Sequence, residues 1–173
     1  MANSDIIKLV KAAQGFHRPN LFLVEFVSPP GLNIDVERFS MSAIAAPIPG
    51  YAIGDFEHSS AGALTNKHTN TVAFNSMNIT FIVSKDFNEH RVFQEWLNLM
   101  IDLPSNNVGY FDDYVTDIFV YPTDRNGNKL ATFQYIECKP ETVGDISLAF
   151  ENENAVTTLE TSFSYTRQEL ITS

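Results

Sequence analysis

The residues with most chemical potential are the four histidines, and their spacing gives them little to do. His17, His58, His68 and His90 are scattered, and none stands at a ligand-like spacing from a second histidine or from Cys138, the single cysteine. A zinc site draws its ligands from closely spaced His and Cys, so no metal is expected. Asp55, His58 and Ser59 bring the types of a nucleophilic triad close together, but no strand–turn–helix setting surrounds them to expose a nucleophile. Asp112-Asp113 lacks the oxygen-rich loop that holds a calcium ion and reads as a solvated turn. Asp124-Arg125-Asn126-Gly127-Asn128 resembles a calcium loop faintly, but a hairpin explains each of its residues. No glycine-rich loop cradles a phosphate, and Asn78-Ile79-Thr80 is a glycosylation sequon by coincidence. The chain is expected to be no enzyme and to carry no cofactor.

Composition narrows the remaining classes. The 173 residues suit one domain spanning 1–173, with a hydrophobic content of 44% that supports a core. Charged residues make up 18%, below the usual quarter. A surface short of charge is often one that other subunits cover. The net charge of −10 argues against phosphate binding, which needs clustered Lys and Arg. The 14 phenylalanines are not interleaved with basic residues as a single-strand-binding groove requires. One cysteine allows no internal disulfide. No run of about 18 apolar residues spans a membrane, and the first residues lack the basic leader and apolar region of a signal peptide.

The elements alternate mostly at the period of a strand. In the N-terminal segment 1–15, Asp5 to Gln14 has the makings of a short helix, capped by Ser4 and ended by Gly15. Arg18-Pro19-Asn20 punctuates. Leu21, Leu23 and Glu25 then alternate with Phe22, Val24 and Phe26 in a strand over Asn20 to Val27. Ser28-Pro29-Pro30-Gly31 turns, and Asn33 to Ala46 reads as a strand of mixed pattern. Pro47 to Asn70 is irregular yet carries Ile48, Tyr51, Ile53, Phe56 and Leu64. Apolar groups in a loop that long predict an arm or extended hairpin ordered against a neighbour. Thr71 to Ser84 reads as one long strand. Asp86-Phe87-Asn88-Glu89 has the spacing of a capping box and opens a helix over 87–102, whose Val92, Phe93, Trp96, Leu97 and Met100 form one apolar stripe of core-packing type. Strands are expected over Tyr114 to Tyr121 and Lys129 to Cys138, joined by the Asn126-Gly127 hairpin, then over Asp145 to Phe150 and Ala155 to Tyr165, with turns at Pro140 to Gly144 and Glu151 to Asn154. Cys138 is expected to be a small buried group. Strands dominate without alternating with helices, so the fold is expected to be mainly β, an antiparallel sandwich or barrel with one packed helix.

Several segments, in this order, resemble the tail tube proteins of contractile-tailed bacteriophages. They are Phe16 with Arg18-Pro19-Asn20-Leu21-Phe22 and Val24-Glu25, the small-residue and proline turn from Ala43 to Pro49, the strand from Asn78 to Val83 leading into the helix with Phe93 and Trp96, and Val143-Gly144-Asp145-Ile146-Ser147-Leu148 followed by an acidic turn and a long strand. The resemblance implies hexameric rings stacked into a hollow tube, with each subunit adding strands to a continuous inner barrel and the 47–70 arm reaching the adjacent ring. It implies a sheath protein around the tube, baseplate and tail-terminator proteins at its ends, and genome DNA passing through without specific binding. The location implied is the virion, after assembly in the host cytoplasm. Of the acidic residues, Asp35, Glu37, Glu151, Glu153 and Glu160 are the candidates for facing the channel.

Closing copies into a ring would pair strand edges that otherwise invite aggregation. A related tube or tube-cap subunit of a bacterial injection or secretion machine is the alternative within the same architecture. A monomeric ligand-binding β-sandwich is the alternative outside it.

Overall fold

The computed structural model describes residues 17–59, 65–148 and 156–171. The expected helix at Asp5 to Gln14 and the turn Glu151 to Asn154 lie outside them.

Seven strands form one bent antiparallel sheet around an aromatic core. Its first wall is β1 (Phe22–Phe26), β8 (Thr116–Pro122), the first half of β9 (Thr132–Val143) and β11 (Arg167–Ile171). Its second wall is the last part of β9, β10 (Thr158–Ser164), β5 (Met77–Ile82) and β2 (Ala43–Ala45). The long β9 belongs to both. It pairs Thr132 to Ile136 with β11 and Lys139 to Val143 with β10. The bend falls where Glu137 takes a φ of 57°. Its N–H donates to Asp117 Oδ1 at 3.2 Å, so the carboxylate on β8 fixes the kink.

Alternation along each strand fills the interior. Val24, Phe26, Ile118, Val120, Met77, Ile79, Phe81, Leu159 and Phe163 are buried. Helix α1 (Val36–Met41) closes the gap between β1 and β2, with Phe39 fully buried against Phe26 and Phe81, each 4.9 Å away between ring centroids. Helix α2 (Asn88–Met100) packs Val92, Phe93 and Trp96 onto the same cluster. Trp96 Nε1 donates to the Tyr114 carbonyl at 2.7 Å, tying α2 to the short helix α3 (Phe111–Tyr114), and between these helices the two-residue strands β6 (Ile101–Asp102) and β7 (Asn107–Val108) pair with each other.

The structure departs from the sequence pattern in several places. Asn33 to Ala46 is α1 and β2, not one strand. Asp35 caps the helix by accepting from the Arg38 N–H, and its inward face is Val36, Phe39 and Ser40, a helical set that mimicked mixed alternation. Thr71 to Ser84 is broken at Asn75-Ser76, where the Asn75 N–H donates to the Gly50 carbonyl and Ser76 Oγ to Glu141. No capping box forms. Asp86 is held by Arg38, Phe87 stands at the helix start with φ 52° and no side-chain cap, and Glu89 reaches back to the Ser84 N–H and hydroxyl. Pro140 lies buried inside β9 rather than in a turn. It is tolerated because β8 ends its pairing at Thr116 opposite Cys138, leaving that side of β9 unpaired. Residues 145–148 are not strand, and β11 was not anticipated.

Candidate assembly surfaces

Pro47 to Asn70 is mostly an extended hairpin, and it is the least self-contained part of the described chain. Strands β3 (Tyr51–Ser59) and β4 (Thr65–Phe74) pair from Tyr51↔Phe74 out to Ser59↔Thr65 and form a two-stranded sheet of their own. Alternation and register set its two faces. One carries Tyr51, Ile53, Val72 and Phe74 near the base, then Asp55 bonded to Thr69 and Glu57 paired with Lys67 at 3.3 Å. The other carries Ala52, Gly54, Thr71 and Ala73. Tyr51, Ile53 and Val72 are more than half exposed, so a row of β-branched and aromatic groups lacks cover among the described residues. At its base the hairpin meets the barrel, where Phe74 leans on Tyr165 at 5.6 Å. Ile48, just before the hairpin, is 45% exposed. Phe56 pairs with His68 through the backbone, and Leu64 lies outside the described residues.

The sheet supplies further unfinished borders. Among the described residues, strands β1, β2 and β11 each pair on one side alone, as does the end of β9 beyond Cys138. On β11, Leu170 and Ile171 are about half exposed, without the lysines or prolines that blunt a free edge.

The helix stripe divides. Val92, Phe93 and Trp96 are buried and Met100 is partly so, but Leu97 is 41% exposed. Leu97 and Met100 border a groove of about 580 Å³ with His90, Gln94, Val143 and Ile146, between α2 and the β9–β10 connection.

The acidic candidates do not gather. Asp35 caps α1, Glu37 is exposed on its first turn, Glu160 projects outward from the middle of β10, and Glu151 and Glu153 lie outside the described residues. Among the described residues, no three His, Cys, Asp or Glu side chains come together to hold a metal, and no helix is long and apolar enough to cross a membrane. His17 Nε2 bonds the Leu21 carbonyl, and Asp112 and Asp113 stand exposed on α3. Cys138 is fully buried, and loss of solvation pushes its thiol pKa well up, so it is no nucleophile. Asp124 accepts from the N–H groups of Asn126 and Asn128 and from the Asn128 amide, which holds its carboxyl below the usual range and shapes the hairpin. Gly127 there has a φ of 84°. Arg38 donates to both Asp86 oxygens at 2.8 Å, lowering the pKa of Asp86 and raising its own. Tyr121 is raised to about 12, by burial first and then by Glu25. Every one of these polar arrangements orders backbone or surface; none converges on a cavity where a reacting atom would sit.

The family model described as phage tail tube protein matches residues 17–170. Among solved structures, the fold is similar to a chain of an extracellular contractile injection system, the PVC sheath–tube complex in its extended state. The TM-score is 0.67 at 18% identity, covering 100% of this chain and 99% of that one. It is similar to a chain of the anti-feeding prophage cap, the tube-terminating cap, with TM-score 0.67, 15% identity, and 91% and 92% covered. It is also similar to a chain of the PVC sheath/tube terminator, with TM-score 0.63, 15% identity, and 87% and 93% covered. No curated protein matches.

Proposed function

We propose, from the premise that this chain belongs to the phage tail tube protein family, that it builds the inner tube of a contractile phage tail as stacked hexameric rings. The tube is the conduit for DNA ejection. The subunit does this work mechanically, without catalysis, and its partners are its own copies, a sheath, and the baseplate and terminator proteins that begin and end the tube. Assembly takes place in the host cytoplasm, and the finished tube belongs to the virion.

The observation that carries this reading is the exposed apolar face of the β3–β4 hairpin beside several free strand edges. A monomer would hold these at risk of aggregation. Identical neighbours would use them, by lateral strand pairing within a ring and by hairpin contacts between rings. The 1–173 chain then acts as one tube domain, with the hairpin as the inter-ring arm and Ile48, Tyr51 and Ile53 as its contacts.

A second reading is a tube or tube-cap subunit of a contractile injection machine, favoured by the likeness along the whole chain to the PVC sheath–tube chain. The physical device is the same, and the cargo differs. Electron microscopy of the concentrated protein tests the shared core of both. Rings or hollow rods support it. A protein that elutes as a monomer at every concentration, with no rings or rods on the grid, would instead favour a self-contained β-sandwich.

A further inference from the structure

The groove between α2 and the β9–β10 connection is apolar along its floor and acidic at its rim. Its volume is about 580 Å³. Leu97 and Val143 are 41% and 39% exposed there, and the partly buried Met100 and Ile146 complete the floor. The connection is pinned at Gly144, whose N–H donates to the Glu160 carbonyl at 2.7 Å; a Cβ at that position would strike the same carbonyl. The charged residues lining the groove are Asp145 and Glu141, which also accepts from Ser76 Oγ at 2.7 Å. His90 is the other titratable group, and no Lys or Arg stands among the described lining residues. An amphipathic segment with an apolar stripe and a positive flank fits such a groove.

The sequence supplies one near its start. Ile6, Leu9, Val10 and Ala13 fall at i, i+3, i+4 and i+7, the face of a helix, with Lys8 and Lys11 beside them. Residues 5–14 lie outside the described ones. A helix of about ten residues is marginal alone and needs a surface to dock on. The hairpin suits the groove less well, because Asp55 follows Ile53 on its apolar face and has the groove's own sign.

We infer that the groove seats residues 5–14 of a neighbouring copy, with Ile6, Leu9 and Val10 on its apolar floor and Lys8 and Lys11 against Glu141 and Asp145. The inference rests on the tube reading above, which supplies the neighbour. The segment's own groove is out of its reach. His17 bonds the Leu21 carbonyl, which also accepts from the Thr123 N–H, so His17 stands at the end of the first wall remote from the bend. From Thr132 to Val143, β9 covers about 36 Å of strand, and about 26 Å in a straight line even with a right angle at the bend. Gly15 and Phe16 add about 7 Å to a helix about 15 Å long, so the middle of that helix stays within about 15 Å of His17. Apolar burial carries the contact, and the two charge pairs fix its direction. Each copy thereby grips the next at a point separate from its strand edges and its hairpin.

Engineered cysteines test this, because Cys138 is fully buried and gives little background. Copies carrying Leu9→Cys are mixed with tagged copies carrying Leu97→Cys, assembled into tubes and mildly oxidised. Ile146→Cys replaces Leu97→Cys should the latter not fold. A disulfide-linked dimer of one tagged and one untagged chain should form at least tenfold more than in the same mixture kept below the onset of assembly. Tubes without the mixed dimer overturn the inference, as does a Leu9→Cys/Leu97→Cys double variant that closes its disulfide within one chain. Accessibility is the second measurement. In tubes, a maleimide should label Leu97→Cys at least tenfold more slowly than in free subunits, and deleting residues 2–14 should restore the fast rate. Undiminished labelling in full-length tubes would leave the groove open, and protection that survives the deletion would give it to another occupant, such as the hairpin. Either result overturns the inference and leaves the tube reading standing. Should the shortened chain form no tubes, the mixed dimer decides. Failure of the wild-type chain to form tubes overturns both.

Discussion

At the scale of single residues, stability is concentrated where an aromatic ring is both buried and tied. Trp96 is 1% exposed, fills the space between α2 and the phenylalanine cluster, and spends its one donor on the Tyr114 carbonyl. Replacing it with alanine leaves a cavity and an unpartnered carbonyl, and the expected cost is about 3–5 kcal/mol, measured as a lower denaturant midpoint. Tyr135 is the converse case. Its ring is fully buried and packs on Tyr165, but its hydroxyl has no partner among the described residues, and burial pushes its pKa well up. Tyr135→Phe is expected to raise the melting temperature, by the equivalent of about 1 kcal/mol, because it removes a desolvated polar atom and keeps the ring. The Arg38–Asp86 pair is exposed and ties α1 to the start of α2. The arginine depresses the folded-state pKa of Asp86, so the contribution is present above the ordinary value of 3.8 and is lost as pH falls through the lowered one. Melts of Asp86→Asn should lie modestly below wild type near about pH 6 and converge with it at about pH 2.

Whole elements show which patterns were legible in the sequence. The helix carrying Phe93 and Trp96 and the strands around Val24, Ile79, Ile118 and Phe163 follow from periodicity alone, because each buries one clean face. Helix α1 escaped notice because a six-residue helix offers less than two turns of pattern, and Val36 and Phe39 fit two periods equally well. The bend in β9 was illegible because a side chain far along the chain, Asp117, sets the backbone of Glu137. Pro140 signalled a turn but sits where no partner strand needs its N–H. The unfinished hairpin was visible as apolar residues in a loop-like stretch, yet its register and its two unlike faces needed the pairing partners. The hairpin also gives the prediction proper to this scale. Replacing Tyr51 to Phe74 by a short turn should leave a cooperative, folded subunit, because the core residues all lie outside that span. The same variant should fail to lengthen into tubes. Microscopy and a thermal melt read the two effects separately, and tubes of normal length would remove the hairpin from the ring-to-ring contact.

For the whole molecule, the question is which force joins the copies. Each chain carries a net charge of −10, so every added subunit approaches a particle of the same sign. In the proposed tube that repulsion would be opposed by main-chain hydrogen bonds at the strand edges and by burial of Tyr51, Ile53, Val72 and Ile171, exposed in the single chain and none of them charged. The two kinds of force respond oppositely to salt. Raising ionic strength from about 0.01 M to about 0.15 M shortens the screening length from about 30 Å to about 8 Å. That weakens long-range repulsion between subunits and leaves strand pairing and apolar burial nearly untouched. The protein concentration at which assembly begins, followed by light scattering or sedimentation, should therefore fall as salt rises over that range. Interfaces held chiefly by ion pairs across subunits would give the reverse, with tubes dissolving as salt is added. Because ordered strand edges exist only in the folded subunit, assembly should also draw on the folding equilibrium, so the melting temperature should climb with protein concentration above the onset of assembly and stay constant below it. A melting temperature indifferent to concentration across the onset would mean that the joined edges add nothing to the fold of each copy, and that contacts other than strand pairing hold the tube together.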